Sequence, residues 1–256
     1  MRNAAQAPLL NYFLRLKQQG RKSLIWLVDP DKTEAAALDD AFLENVRQAV
    51  DVVFVGGSLL EEYRFGSLIG RLKEGLNCPV VLFPGSSLHL HPSADAILFL
   101  SLISGRNADL LIGRQVEAAP LVRRSGIEAL PTGYMLVDGG RPTAAHYMSQ
   151  TQPIPGDKPQ IAACTAMAGE LLGLRLMYLD AGSGAESPIA PAMVQAVARA
   201  VSSPLVVGGG IRDTSTLESL FAAGADALVL GTAVEEHPGF LNEAGRVRDA
   251  QAARQT

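Results

Sequence analysis

The chain has 256 residues and a mass of 27.0 kDa, near the size of one (β/α)8 barrel but also enough for two modest domains. Hydrophobic residues make up 48% and charged residues 19%, which excludes a disordered chain and supplies a large core. No apolar run approaches the roughly 18 residues of a transmembrane helix, and a net charge of −4 argues against a general nucleic-acid binder, which would carry a basic excess.

The N-terminal segment, about residues 1–20, reads as a helix with no long apolar stretch followed by a small-residue cleavage site, so no secretory signal is expected. Eight β-rich runs follow: Ser23–Val28, Val52–Val55, Val80–Phe83, Ala96–Leu100, Glu128–Val137, Leu174–Leu179, Pro204–Val207 and Ala227–Leu230. Several are apolar without alternation, as parallel strands buried on both faces are. Amphipathic segments such as Leu38–Ala49, Tyr63–Gly75, Ala108–Ser125 and Pro191–Val201 lie between them. Strand and helix alternating about eight times predict a parallel α/β fold, closed as a (β/α)8 barrel. The connection from Phe83 to Ala96, PGSSLHLHPSAD, is too short and too rich in Pro, Gly and Ser for a crossover helix. The third outer helix is therefore expected to be missing or replaced by a loop, which leaves either an irregular turn covered by its neighbours or a groove for something long. Asp138–Lys158 has no clear period and suits a mobile loop over the active face. The tail, about 242–256, is polar, and with no linker in the composition one domain spans 1–256. Two cysteines, Cys78 and Cys164, form no disulfide framework, as in a reducing, cytoplasmic setting.

Barrel chemistry sits at the C-terminal ends of strands. The seventh run leads into Gly208-Gly209-Gly210-Ile211-Arg212-Asp213 and the eighth into Gly231-Thr232. Glycines there let backbone N–H groups approach an anion, and Ser215 with Glu218 has capping-box spacing for a helix whose N-terminus would favour phosphate. The sixth run ends in Tyr178-Leu179-Asp180-Ala181-Gly182-Ser183-Gly184, with Asp180 placed as a base or hydroxyl binder. The first leads into Asp29-Pro30-Asp31, oxygen ligands of the kind Mg²⁺ takes beside substrate phosphates, and the second into Gly56-Gly57-Ser58, whose hydroxyl can join such a cluster. His89 and His91 read as a solvated loop pair, His146 and Tyr147 have no assigned role, and Trp26 reads as packing. These features leave the reaction open: a phosphate-binding barrel also serves sugar-phosphate isomerases and aldolases, or a non-catalytic phospho-ligand binder.

Taken together, LVDPDK, VGGS, YLDAGSG, GGGIRD and LGTAV, in this order from Ser23 to about Glu236, resemble the geranylgeranylglyceryl phosphate synthase family, which includes the bacterial heptaprenylglyceryl phosphate synthases. The YLDAGSGA wording, and Leu27 where one subgroup has Lys, resemble the second subgroup. The resemblance implies a Mg²⁺-dependent transferase that moves a polyprenyl group, geranylgeranyl foremost, from its diphosphate to the 3-hydroxyl of sn-glycerol 1-phosphate, forming an ether-lipid precursor. It implies Asp29 and Ser58 as Mg²⁺ ligands. It implies Tyr178, Leu179, Asp180, Ala181, Gly182, Ser183, Gly184, Gly209, Gly210, Gly231 and Thr232 as glycerol-phosphate contacts. Asp180 is expected as the catalytic base or hydroxyl-orienting group, with Tyr178 or a metal-bound water as the alternative base. The family usually has Glu at position 180, so the carboxylate here is one methylene shorter. A barrel lacking a regular third outer helix, a homo-oligomer built as a dimer or an assembly of dimers, and peripheral membrane contact are further expectations.

Overall fold

The computed structural model describes residues 8–61 and 65–253 and turns each apolar run into a parallel strand. The strands are β1 (Ser23–Val28), β2 (Val52–Val55), β3 (Val80–Leu82), β4 (Ala96–Leu102), β5 (Glu128–Leu136), β6 (Leu176–Asp180), β7 (Leu205–Gly208) and β8 (Ala227–Leu230). They pair in sequence order, and β8 returns to pair with β1, so the barrel is closed. The sixth strand starts two residues later than its pattern suggests, because the chain leaves the preceding helix through Gly173 at φ +93°, a left-handed turn.

The helices are α1 (Pro8–Gln18), α2 (Asp40–Ala49), α3 (Phe65–Gly75), α4 (Arg114–Ser125), α5 (Ala144–Ser149), α6 (Pro159–Leu171), α7 (Pro191–Ala200), α8 (Thr214–Ala222), α9 (Thr232–Glu236) and α10 (Phe240–Ala253). The heads of two expected helical segments, residues 1–7 and 63–64, and the last three residues of the tail lie outside the described residues. Between β3 and β4 there is no helix, as the Pro- and Gly-rich connection predicts. The segment expected as an irregular loop over the active face carries α5, and it is tied to the end of β5 by a bridge between Val137 and Ile154.

Two apolar layers hold the barrel. Outward residues such as Leu24, Trp26, Val53, Leu179 and Val207 pack under the helices. Inward residues such as Ile25, Phe54, Val81, Leu98, Tyr134, Tyr178, Val206 and Val229 fill the bore. Helix α1 stops the bore with Leu9, Leu10, Phe13 and Leu16. Its free N–H groups at Leu9 and Leu10 donate to the Glu128 carboxylate at 3.0 and 2.9 Å, an anion at the favourable end of a helix. Closing the bore at that end leaves the opposite, C-terminal face for a ligand.

Candidate active site

Alternation along each strand decides which side chains reach that face. Continuing the inward parity of Ile25, Phe54, Tyr178, Val206 and Val229 brings Asp29, Gly56, Asp180, Gly208 and Gly231 to the mouth. Three of these five are glycine, but a Cβ on Gly56 would fall 1.9 Å from Phe83 O and one on Gly208 2.7 Å from the Tyr178 hydroxyl, so the mouth is hollow over β8 alone among the three. The resulting cleft holds about 460 Å³ of empty space, open to solvent. Tyr178 and Val229 line its floor, and its walls are Gly182 to Gly184, Gly209 to Arg212 and Gly231 to Ala233. A Cβ built on Gly231 meets nothing nearer than Leu27 at 3.8 Å, so this glycine keeps a free volume at the mouth.

Other glycines serve the walls. Gly209 and Gly210 have φ of +85° and +70°. A Cβ on Gly210 falls 2.6 Å from the Ser187 carbonyl oxygen. Its bareness therefore lets the β7 turn pack on the 185–188 loop; it does not clear space for a ligand. The expected Ser215–Glu218 capping box is absent. Asp213 is the N-cap of α8 and accepts from Thr216 N at 2.8 Å and from the Ser215 hydroxyl at 2.6 Å. A carboxylate already occupies that helix end, so the dipole of α8 is not free for a ligand anion. Arg212, whose guanidinium the motif reading passed over, is the one cation among the described cleft residues.

Asp180 is 7% exposed. Its Oδ1 accepts from Gly182 N at 2.8 Å and its Oδ2 from the Tyr134 hydroxyl at 2.6 Å. Burial pushes its carboxyl above the usual carboxylate range, opposed by those two hydrogen bonds and by His146. Burial and the Asp180 charge hold the phenols of Tyr134 and Tyr178 well above their ordinary value, so both are donors at neutral pH. Tyr178 sits beneath Gly208, where a Cβ would come within 2.7 Å of its hydroxyl; it is a floor residue, and its phenol is too weak an acid to serve as the base expected as the alternative. Leu179 and Ala181 depart from the expected contact set. Strand parity turns both side chains into the outer layer, fully buried, and neither lines the cleft.

Asp29 and Ser58 lie at the neighbouring ends of β1 and β2, which are tied by Gly56 N donating to Val28 O at 3.0 Å. A Cβ on Gly57 would come within 3.3 Å of Asp29 Oδ1, so the VGGS turn and the carboxylate touch only because the turn is bare. Asp29 Oδ1 accepts from Asp31 N at 3.1 Å, and Lys32 Nζ lies 3.8 Å from its Oδ2. No group of three or more His, Cys, Asp or Glu side chains among the described residues could hold a metal ion. One carboxylate beside a hydroxyl-bearing turn still suits Mg²⁺, which keeps its waters and takes its remaining ligands from substrate phosphates.

His89 departs from its expected place in a solvated loop, and His146, which had no assigned role, is also placed inside the fold. His89 is buried: its Nδ1 accepts from Gly85 N at 3.2 Å and its ring lies 5.7 Å from that of Phe65. His146 is buried, and its Nδ1 accepts from Thr143 N at 3.1 Å, leaving Nε2 buried with no hydrogen-bond partner among the described residues. Burial lowers the pKa of both rings, against the pull of Asp31 on His89 and of Asp138 and Asp180 on His146.

Along the helix-free side, Phe83, Phe99 and Leu100 are half-buried, and Leu59 and Leu88 are 60% and 77% exposed. These side chains form an apolar border on the side where the third outer helix is missing.

The PcrB family model matches residues 17–248. A protein of Spirosoma linguale named geranylgeranylglyceryl phosphate synthase is 51% identical over 231 residues, 90% of this chain and 93% of its own. One of the same name from Chitinophaga pinensis is 46% identical over 92% of this chain and 93% of its own. Among solved structures, the (S)-3-O-geranylgeranylglyceryl phosphate synthase of Thermoplasma acidophilum, in complex with its substrate sn-glycerol-1-phosphate, superposes with a TM-score of 0.83 at 31% identity, covering 95% of this chain and 98% of that one.

Proposed function

The chain belongs to the PcrB family, and on that premise we propose that it is a prenyltransferase joining a polyprenyl diphosphate, geranylgeranyl diphosphate foremost, to the 3-hydroxyl of sn-glycerol 1-phosphate. The products are an ether-lipid precursor and diphosphate. The observation that carries this reading is a buried carboxylate, Asp180, facing a cleft walled by the glycine turns after β7 and β8, in a chain whose relatives bear this name over nine-tenths of its length.

The backbone of Gly209, Gly210, Gly231 and Thr232, with Arg212 beside them, holds the phosphate. Gly182, Ser183 and Gly184 close over the glycerol. Asp180 accepts the hydroxyl proton as the oxygen attacks the prenyl carbon. Asp29 and Ser58 would hold Mg²⁺ together with the diphosphate, and that ion would neutralise charge building on the leaving group. The prenyl tail lies along the apolar border by Phe83, Leu100 and Leu88. Full burial of a C20 chain contributes over about 10 kcal/mol gross at about 0.8 kcal/mol per CH₂, much of it offset by binding entropy.

The outer face of α6 bears exposed Ile161, Met167 and Leu171, an apolar stripe suited to a second copy in a homodimer. Exposed Leu88, Ile112 and Val116 suit peripheral contact with the membrane that takes the product. No helix among the described residues is long and apolar enough to cross a membrane, and the two free cysteines, Cys78 and Cys164, suit a cytoplasmic enzyme.

The deciding experiment incubates the purified protein with labelled sn-glycerol 1-phosphate, prenyl diphosphates of graded length, and Mg²⁺ or EDTA. A Mg²⁺-dependent ether product is expected, with little from the sn-glycerol 3-phosphate enantiomer. No ether product with any chain length would refute the assignment and return the choice to an isomerase, an aldolase or a non-catalytic binder.

A further inference from the structure

Prenyl transfer needs Asp180 ionised and aimed at the substrate hydroxyl, yet the barrel withdraws its carboxylate from water, which favours the neutral acid. Two donors act against that. Gly182 N belongs to the turn that follows Asp180 and reaches Oδ1 at 2.8 Å. The other, the Tyr134 hydroxyl at 2.6 Å from Oδ2, comes from β5, 46 residues earlier in the chain. Parallel register sets Tyr134 beside Tyr178 and Leu136 beside Asp180, so the phenol reaches diagonally across to the carboxylate. The ring is fixed edge-to-face against Phe83 at 5.7 Å and against Tyr178 at 5.4 Å. Tyr134 does not line the cleft, so its phenol meets the carboxylate and not the glycerol phosphate.

We propose that Tyr134 is a positioning residue for the transfer: its buried phenol, donating to Asp180 Oδ2, keeps the carboxylate ionised and turned to the cleft, where it takes the hydroxyl proton. This rests on the reading of Asp180 as the base. In that step the bond from the glycerol oxygen to the prenyl carbon forms. The bond from that carbon to the diphosphate oxygen breaks, its electron pair leaving with diphosphate. The hydroxyl proton passes to Asp180, and Tyr134 keeps its own.

The titratable groups facing Asp180 are Tyr134 on β5, Tyr178 on β6 and His146 on α5. Only His146 titrates near the same pH range as a carboxyl, so the test is made in a His146→Gln background. Single-turnover rates are measured from pH 5 to pH 9 with and without Tyr134→Phe, using labelled glycerol phosphate and geranylgeranyl diphosphate. Tyr134→Phe is expected to slow transfer between about tenfold and about a hundredfold, the scale of a small misplacement, and to move the acid limb to higher pH. KM for glycerol phosphate should hold, and Tyr134→Phe should cost nothing further once Asp180→Asn is present. A 3,5-difluorotyrosine at position 134, a stronger donor of the same shape, should move the acid limb to lower pH. An unmoved acid limb in both position-134 variants, with Asp180→Asn still slow, overturns the proposal and leaves the function standing. Asp180→Asn turning over like the parent overturns the reading of the base itself. Should Tyr134→Phe lower Tm along with rate, the fluorinated protein decides.

Discussion

Replacing Asp180 with Asn removes the negative charge and keeps the volume. The variant retains an acceptor for Gly182 N, now 2.8 Å from Oδ1. Its amide NH₂ faces the Tyr134 hydroxyl, now 2.6 Å from Oδ2, which turns to accept. Losing a hydrogen bond to a charged group costs about 1.5–3 kcal/mol. Relief from burying a carboxylate that is only 7% exposed offsets this, since burial already works against the ionised form. With about 2–4 °C of Tm per kcal/mol for a chain of this size, Tm should stay within about 4 °C of wild type. Turnover should fall much further. A general base supplies about 10²–10⁴-fold, or about 2.7–5.4 kcal/mol of barrier. The loss should appear in kcat and leave the glycerol-phosphate KM nearly unchanged, because the glycine cradle is untouched. Asp180→Glu keeps the charge and should lose far less. The assay pairs single-turnover rates on labelled glycerol phosphate with melting followed by circular dichroism. Wild-type turnover in a folded Asp180→Asn protein refutes the role. A rate loss that merely tracks a fall in Tm in both variants makes Asp180 a loop-ordering residue.

Asp29→Asn should lower turnover about 10²–10³-fold and raise the Mg²⁺ concentration needed for half-activity without altering Tm; undiminished wild-type turnover in excess EDTA would end the metal assignment. Gly231→Ala has steric room, with its Cβ 3.8 Å from Leu27, but fills the mouth of the cleft, so calorimetry should show weaker glycerol-phosphate binding and unchanged prenyl diphosphate binding. Gly210→Val, at φ +70° with a Cβ 2.6 Å from Ser187 O, should instead lower Tm and weaken both ligands together. His146 is held neutral in the fold, so as pH falls the unfolded chain takes up its proton first, near pH 6.5. Its stabilising contribution is full above that pH and lost as pH falls toward the lower folded value. Tm should therefore fall less between pH 7.5 and pH 5 in His146→Gln, which keeps an acceptor for Thr143 N at the helix start, than in wild type; equal slopes would refute the buried neutral ring.

Periodicity and punctuation by themselves determined the barrel. Eight apolar runs separated by helical segments leave few ways to bury both faces of a parallel sheet, and Pro84-Gly85 with its serines cannot make a crossover helix. The motif positions at the ends of strands were legible for the same reason, because a parallel barrel collects those ends on one face. What sequence could not decide was direction and partnership. Which way Leu179, Asp180 and Ala181 point depends on inward parity, which the closed sheet alone sets. The role of Gly210 depended on the approach of Ser187, and the charge at the start of α8 on which residue, Asp213 or Ser215, adopts the cap conformation. Tyr134 carried no local signal, since it is one aromatic in a strand that reads as core. Only the register of β5 against β6 brings its phenol to Asp180, and hydrogen bonds between residues 46 apart follow from closing the barrel, not from any spacing along the chain.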